Sequence, residues 1–193
     1  MIQYACLEEL GILEREALDR YCTSGGILGC HPDYGTPGIE ASTGSLGHGM
    51  AMAVGMALAV KGRKQDSVIY VVLSDGELQE GSTWEALLMG SSMGCSNLVA
   101  VVDNNDFQSL GRTSETHPNF YPLGAKLDAF GWEVAETDGH DSQSVYDTIG
   151  GRSGEKPFFL VARTTKGKPI SYMENVPIWH YRSPSPEEYE QAM

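Results

Sequence analysis

Basic residues are scarce in this chain. Its 13 lysines and arginines face 26 aspartates and glutamates, a formal net charge of −13 over 193 residues. An acidic protein repels polyanions, so nucleic acid and anionic membrane surfaces are excluded as partners. Long apolar runs are missing too. The most apolar helix candidate, Met50 to Val60, falls far short of the roughly 20 residues that cross a bilayer. Met1 is not followed by a charged-then-apolar leader, so no secretory signal is expected and a cytoplasmic location is. Cysteines are few, at positions 6, 22, 30 and 95, and their spacing matches no metal-binding pattern. Reduced, buried thiols are the expected state, although spacing alone leaves a disulfide open. No internal repeat or low-complexity run interrupts the chain. The remainder, 41% hydrophobic and 20% charged, suits one folded domain with its own core.

Residues 4–21 predict two short helices broken at Gly11, from the spacing of Tyr4, Leu7, Leu10, Leu13, Ala17 and Leu18. Residues 22–45 read as a long glycine- and proline-rich loop, which inside a compact domain is usually functional. A helix follows from about Leu46 to Lys61. It is apolar nearly all round, so burial is expected, with small residues that admit another backbone closely. Regular alternation then begins. Strands are predicted at 68–73, 98–102, 132–135 and 158–162, and helices at 82–93, 122–130 and 142–149, with a loop at 103–121. This pattern predicts a three-layer α/β/α fold with a mainly parallel sheet. Right-handed crossovers place the strand C-termini on one edge, where ligands of open α/β sheets bind. From Lys166 a proline-rich tail is expected to wrap the surface. The whole is read as one domain over 1–193: helices and loop at 1–45, an α/β core at 46–165, and the tail at 166–193.

Two apolar runs end in oxygen-bearing side chains. Val68 to Leu73 leads into Ser74-Asp75-Gly76-Glu77, and Leu98 to Val102 leads into Asp103-Asn104-Asn105. Asp75 and Asn105 are 30 residues apart, the length of one strand–helix–strand unit. Adjacent strands would therefore bring both side chains to one place. A carboxylate, an amide oxygen and the backbone carbonyl of Phe107 make three hard donors. Two diphosphate oxygens and a water would complete the octahedron that Mg²⁺ prefers. Gly76 would let the backbone approach a phosphate. A chain this acidic needs such a cation, with helix N-termini, to hold a diphosphate. Taken singly, Asp-Gly and Asn-Asn are ordinary turns; together, after two apolar strands, they favour a site. Gly47 to Gly49 is not a dinucleotide fingerprint, because no apolar strand precedes it.

The Asp75 and Asn105 pair resembles the signature of thiamine-diphosphate enzymes, and the likeness extends to both sides. Ser42-Thr43-Gly44-Ser45-Leu46-Gly47-His48-Gly49 and the following Met52-Ala53-Val54-Gly55-Met56-Ala57 resemble the transketolase segment beneath the cofactor. Glu80-Gly81 and Glu85-Ala86 are of transketolase type. The resemblance runs from about Gly29 to His180 and is to the diphosphate-binding (PP) half of transketolase. It implies that Asp75, Asn105 and the Phe107 carbonyl hold Mg²⁺ or Ca²⁺. It implies that Gly44, Ser45 and Leu46 line thiamine diphosphate, with Gly76 and Glu77 along its diphosphate. Lys166 would approach a phosphate oxygen, a solvated lysine being the equal alternative. His31, in Cys30-His31-Pro32, matches a histidine that hydrogen-bonds the donor substrate. His180 matches one near diphosphate and substrate, although Tyr181 follows it where the family commonly has glycine. Glu80 and Glu85 match carboxylates that link the two active sites of a dimer. His48 and His140 read as structural. Arg112 and Arg182 are basic candidates for a sugar phosphate, but no motif selects them.

The family's second catalytic half, a pyrimidine-binding (Pyr) domain with an activating glutamate, finds no room after residue 165. Nor do two histidine motifs of the family's N-terminal segment have a counterpart. The resemblance therefore implies a PP-domain subunit, in a homo- or hetero-oligomer, that works with a Pyr-domain partner. Together they would transfer a two-carbon ketol unit between sugars or sugar phosphates. The alternatives are a truncated product, a non-catalytic or degenerate assembly subunit, or a thiamine-diphosphate enzyme of the deoxyxylulose-phosphate synthase or 2-oxo acid dehydrogenase type.

Overall fold

A computed structural model describes residues 2–109 and 111–193. The chain divides into two compact units, Met1–Leu46 and Gly47–Met193. The first holds helices α1 (Ile2–Glu9) and α2 (Arg15–Asp19), separated at Gly11. Gly11 has φ +69°, a left-handed turn that glycine makes without cost. Tyr4, Leu7, Leu13, Leu28 and Ile39 form its core. Beyond α2 the chain runs as a loop, fastened by single bonds rather than a ladder. The Tyr4 hydroxyl donates to the Gly29 carbonyl (3.2 Å), and the Cys22 N–H donates to the Leu28 carbonyl (2.9 Å).

The second unit opens with α3 (Gly49–Gly62), followed by β1 (Ile69–Ser74), a 3₁₀ turn (Glu77–Gln79), α4 (Gly81–Ser92) and β2 (Leu98–Asn104). A small hairpin of β3 (Phe107–Gln108) and β4 (Gly111–Arg112) leads to α5 (Thr113–Thr116) and α6 (Leu123–Ala129). Then come β5 (Glu133–Asp138), α7 (Ser142–Gly150) and β6 (Phe158–Arg163). The main sheet has the order β1-β2-β6-β5, every pair parallel, so all four strands end on the same edge. Successive side chains in a strand point to opposite faces. One face, with Leu73, Leu98, Ala100, Val102, Phe159 and Val161, packs under α3, α4 and α6. The other, with Val99, Phe158 and Leu160, is covered by Val145 and Ile149 of α7. Helices thus flank the sheet on both faces, as expected. Trp132 locks α4 to the sheet: it is fully buried, and its indole N–H donates to the Leu87 carbonyl (2.9 Å).

Four expectations need correction. The helix read as buried all round is not, because β1, β2 and α4 meet only one side of α3. Met50, Ala53, Val54 and Ala57 are buried, while Ala51, Gly55 and Ala59 form an exposed stripe. The loop at 103–121 contains the hairpin and α5, elements too short to show periodicity. The tail is not merely a wrap: it forms a 3₁₀ turn at Pro177–His180 and a helix, α8 (Pro186–Ala192). Finally, of the four cysteines Cys95 is buried, while Cys6 on α1 and Cys22 and Cys30 on the loop after α2 are exposed. Among the described residues no helix is long and apolar enough to cross a membrane.

Candidate functional site

The sheet edge sets the geometry. Ser74 and Asp103 are register partners, and the Asp75 N–H extends the ladder by one bond to the Asp103 carbonyl (3.3 Å). The Asp75 side chain is fully buried there. Its Oδ1 accepts from the Gly76 N–H (2.9 Å), and its Oδ2 accepts from the Asp106 N–H (2.6 Å) and the Tyr121 hydroxyl (3.0 Å). Burial outweighs these donors and pushes the carboxyl up to about 6, with the Asp103 charge acting in the same direction. Among the described residues no cation pairs with it. The Tyr121 hydroxyl is itself pushed up, by burial and by the charge of Asp75.

Asn105 follows β2 by one residue. Its amide oxygen accepts from the Phe107 N–H (2.9 Å) and its amide nitrogen donates to Asp103 Oδ2 (3.1 Å). This local turn orients the side chain. Asp106, at φ +65°, turns the chain back into β3. Burial pushes its carboxyl up, but the Ser114 N–H (2.9 Å), the Ser114 hydroxyl (2.7 Å) and Arg112 (3.3 Å) outweigh that and hold it below the usual range. The Asp75 and Asn105 loops are therefore tied together through the bond from residue 106 to Asp75. A Cβ placed on Gly76 would lie 3.7 Å from the Phe107 carbonyl oxygen and 3.4 Å from Gln108 Cβ, ordinary contact distances, so the Gly76 backbone and that carbonyl stand side by side. Carboxylate, amide and carbonyl thus belong to two adjoining loops at one sheet edge. Among the described residues no group of three or more His, Cys, Asp or Glu could hold a metal; this donor set has only one carboxylate.

Around it, Glu77 is buried, accepts from the Gly47 N–H (3.2 Å) and donates its own N–H to Ser74 Oγ (3.0 Å); burial pushes its carboxyl up. Gly47 has φ +82°, and a Cβ there would come within 2.5 Å of Ser82 Oγ, so the position accepts only glycine. Glu80 stands at the N-terminus of α4 and Glu85 on its surface, both exposed. Lys166 Nζ lies 3.5 Å from His180 Nδ1, and burial plus that ammonium hold the imidazole below its ordinary range. His140 accepts from the Thr165 N–H (2.7 Å), a structural tie between the ends of β5 and β6. Arg112 lies over the Phe107 ring (4.6 Å), and Arg182 pairs with Glu188 (2.5 Å), so both basic candidates are already engaged.

His31, Gly44, Ser45 and Leu46 belong to the first unit. Gly44 has φ +116°, and a Cβ there would fall 2.1 Å from the His31 ring; the imidazole packs where a side chain would stand. All four are exposed. Sequence reasoning did not single out Tyr121, Asp103, Asp106 or Thr164. Thr164 hydrogen-bonds through its hydroxyl to Asp103 Oδ1 and so links β6 to the same edge. The Asp103-Asn104-Asn105-Asp106 run was a usable signal for the two aspartates; nothing local marked Tyr121.

The sequence profile of the family described as transketolase, thiamine diphosphate binding domain, matches residues 1–181. The chain belongs to the transketolase family. Among its transketolase relatives, a subunit of the apulose-4-phosphate transketolase of Phocaeicola vulgatus is 41% identical over 192 residues, covering 98% of this chain and 68% of the relative. A 6-deoxy-6-sulfo-D-fructose transketolase subunit from a Clostridium species is 38% identical over 174 residues, covering 89% of this chain and 63% of the relative. Among solved structures, transketolase from Leishmania mexicana superposes with a TM-score of 0.80 at 29% identity, over 91% of this chain and 29% of that one. The parallel sheet with flanking helices is thus the transketolase arrangement, and this chain spans less than a third of the solved enzyme.

Proposed function

We propose that this chain is the PP-domain subunit of a split transketolase. It binds thiamine diphosphate through Mg²⁺ and, with a Pyr-domain partner, transfers a two-carbon ketol unit between sugars or sugar phosphates. One observation carries the reading: Asp75 is a fully buried carboxylate with only neutral donors, beside an asparagine turn and the Phe107 carbonyl. A buried charge without a counter-charge is costly unless a cation completes it. The mixed oxygen donors suit a hard, octahedral ion. The donor set therefore fits the group that the family implies.

When bound, thiamine diphosphate supplies the nucleophilic ring carbon and the electron sink. The chain's residues bind and orient. Asp75, Asn105 and the Phe107 carbonyl would hold the metal, with Gly76 leaving room for a phosphate. Gly44, Ser45, Leu46 and Glu77 are proposed to line the cofactor. His180, kept neutral by burial and by Lys166, can donate one hydrogen bond and accept another. The Lys166 ammonium beside it suits a phosphate oxygen. His31 is proposed to hydrogen-bond the donor sugar. Glu80 and Glu85, exposed on α4, are proposed to meet the partner. The names of the relatives, a sugar phosphate and a sulfosugar transketolase, support a substrate with an anionic end.

The test is two-carbon transfer from a ketose phosphate to an aldose phosphate, with thiamine diphosphate and Mg²⁺ present. Transfer is expected in the mixture with a Pyr-domain partner and absent from either chain alone. Asp75→Ala is expected to slow the mixture by about 10–100-fold or more, the scale on which disturbed metal sites lose activity. A variant mixture as fast as wild type overturns the metal assignment.

A further inference from the structure

The first unit holds a pair of sulfurs that the cofactor reading does not use. Cys22 Sγ and Cys30 Sγ stand 3.3 Å apart, both exposed. The pairing is built into the loop. The Cys22 N–H donates to the Leu28 carbonyl (2.9 Å), and Cys22 itself sits at φ +54°, a left-handed conformation unusual for a residue with a side chain. Arg20 closes the same turn by donating to the Gly25 carbonyl (2.9 Å), and Gly29 is held from the far side by the Tyr4 hydroxyl (3.2 Å). Among the described residues neither Cys6, exposed on α1, nor the buried Cys95 is brought against another sulfur.

We propose that Cys22 and Cys30 form a redox-active dithiol that low-molecular-weight disulfides convert reversibly to an intramolecular disulfide. The reading does not depend on the function proposed above. A sulfur–sulfur bond is about 2.0 Å long, so the two atoms need to close by only about 1.3 Å. The Cys22 sulfur beside it, then Tyr21, holds the Cys30 thiol below its ordinary range, while Cys30 in turn pushes the Cys22 thiol up. Cys30 is accordingly the attacking thiolate, since the thiolate is the nucleophile in exchange. It displaces one thiolate from the reagent disulfide and forms a mixed disulfide. Cys22 then loses its proton, attacks the Cys30 sulfur and expels the second thiol. Two protein thiols are oxidised and one reagent disulfide is reduced to two thiols. Exposed, low-pKa cysteines beside a resolving thiol are the usual redox sensors. The bond would form next to His31, whose ring packs on Gly44.

The experiment treats the full chain, folded, with oxidised glutathione, blocks remaining thiols by alkylation, and reads intact mass and a peptide map. The expected result is a loss of two hydrogens, two of the four thiols no longer alkylated, and the peptides of Cys22 and Cys30 joined. Dithiothreitol restores all four thiols. Cys22→Ser leaves Cys30 unable to close, so that sulfur keeps a glutathione adduct. The proposal is overturned if the wild-type chain keeps all four thiols, carries stable adducts on both cysteines, or joins either one to Cys6 or Cys95.

Discussion

Asp75 is the centre of the proposed metal site, and its cost in the metal-free chain is measurable. Its carboxyl is raised from 3.8 to about 6, chiefly by burial. The folded chain then holds this proton more tightly than the unfolded chain does. Its contribution to stability is fully present below the unfolded value and is lost as pH rises through about 6. The metal-free chain should therefore lose on the order of 1–3 kcal/mol between about pH 4 and 6 relative to Asp75→Asn. Denaturant titrations of the two chains across that window check the difference; parallel curves contradict it. Metal binding should strengthen over the same range, because the ionised carboxylate is the proposed ligand. That the loops of Asp75 and Asn105 adjoin at one sheet edge was legible in the sequence, since each follows an apolar run at a fixed spacing. Tyr121 was not, because it reaches Asp75 from 46 positions away and no local pattern announces such a bond. The Cys22 and Cys30 contact was invisible for the same reason: an eight-residue separation on a loop obeys no periodicity.

At the level of elements, the strands and helices of the α/β core were readable because buried parallel strands write continuous apolar runs. Boundaries shifted by a residue or a few, as at β2, which continues to Asn104 through hydrogen bonds rather than hydrophobicity. The hairpin and α5 escaped because two- and four-residue elements have no period. Helix α8 had a signal that the prolines masked. Ser185 caps the Glu188 N–H (3.2 Å) and Glu188 caps the Ser185 N–H (2.8 Å), with Pro186 at the first helical position. The joints between elements are where substitutions should tell most. Gly47→Ala meets Ser82 Oγ at φ +82° and should destabilise by about 1–3 kcal/mol. Gly55→Ala, mid-helix in open space, should instead stabilise by about 0.5–1 kcal/mol. Trp132→Ala, which empties the joint between α4 and the sheet, should cost about 3–5 kcal/mol. Chemical denaturation of the three variants, read against wild type, gives the order directly; a destabilised Gly55→Ala would show that the face of α3 is crowded.

The whole molecule combines a net charge of −13 with a candidate site for an anionic ligand. In the proposed reading that conflict is resolved at one buried carboxylate, Asp75, where a divalent cation would turn repulsion into attraction. It also sets expectations about partners: the transketolase relatives named as subunits match this chain over most of its length. Calorimetry of thiamine diphosphate titrated with Mg²⁺ into the chain mixed with a Pyr-domain partner tests the account most directly, run beside Asp75→Ala and Asn105→Ala. The account predicts saturable binding by the wild-type mixture, abolished by a chelator, weak binding by the lone chain, and a loss of about tenfold or more in either variant. Variants that bind the cofactor as tightly as wild type would contradict it.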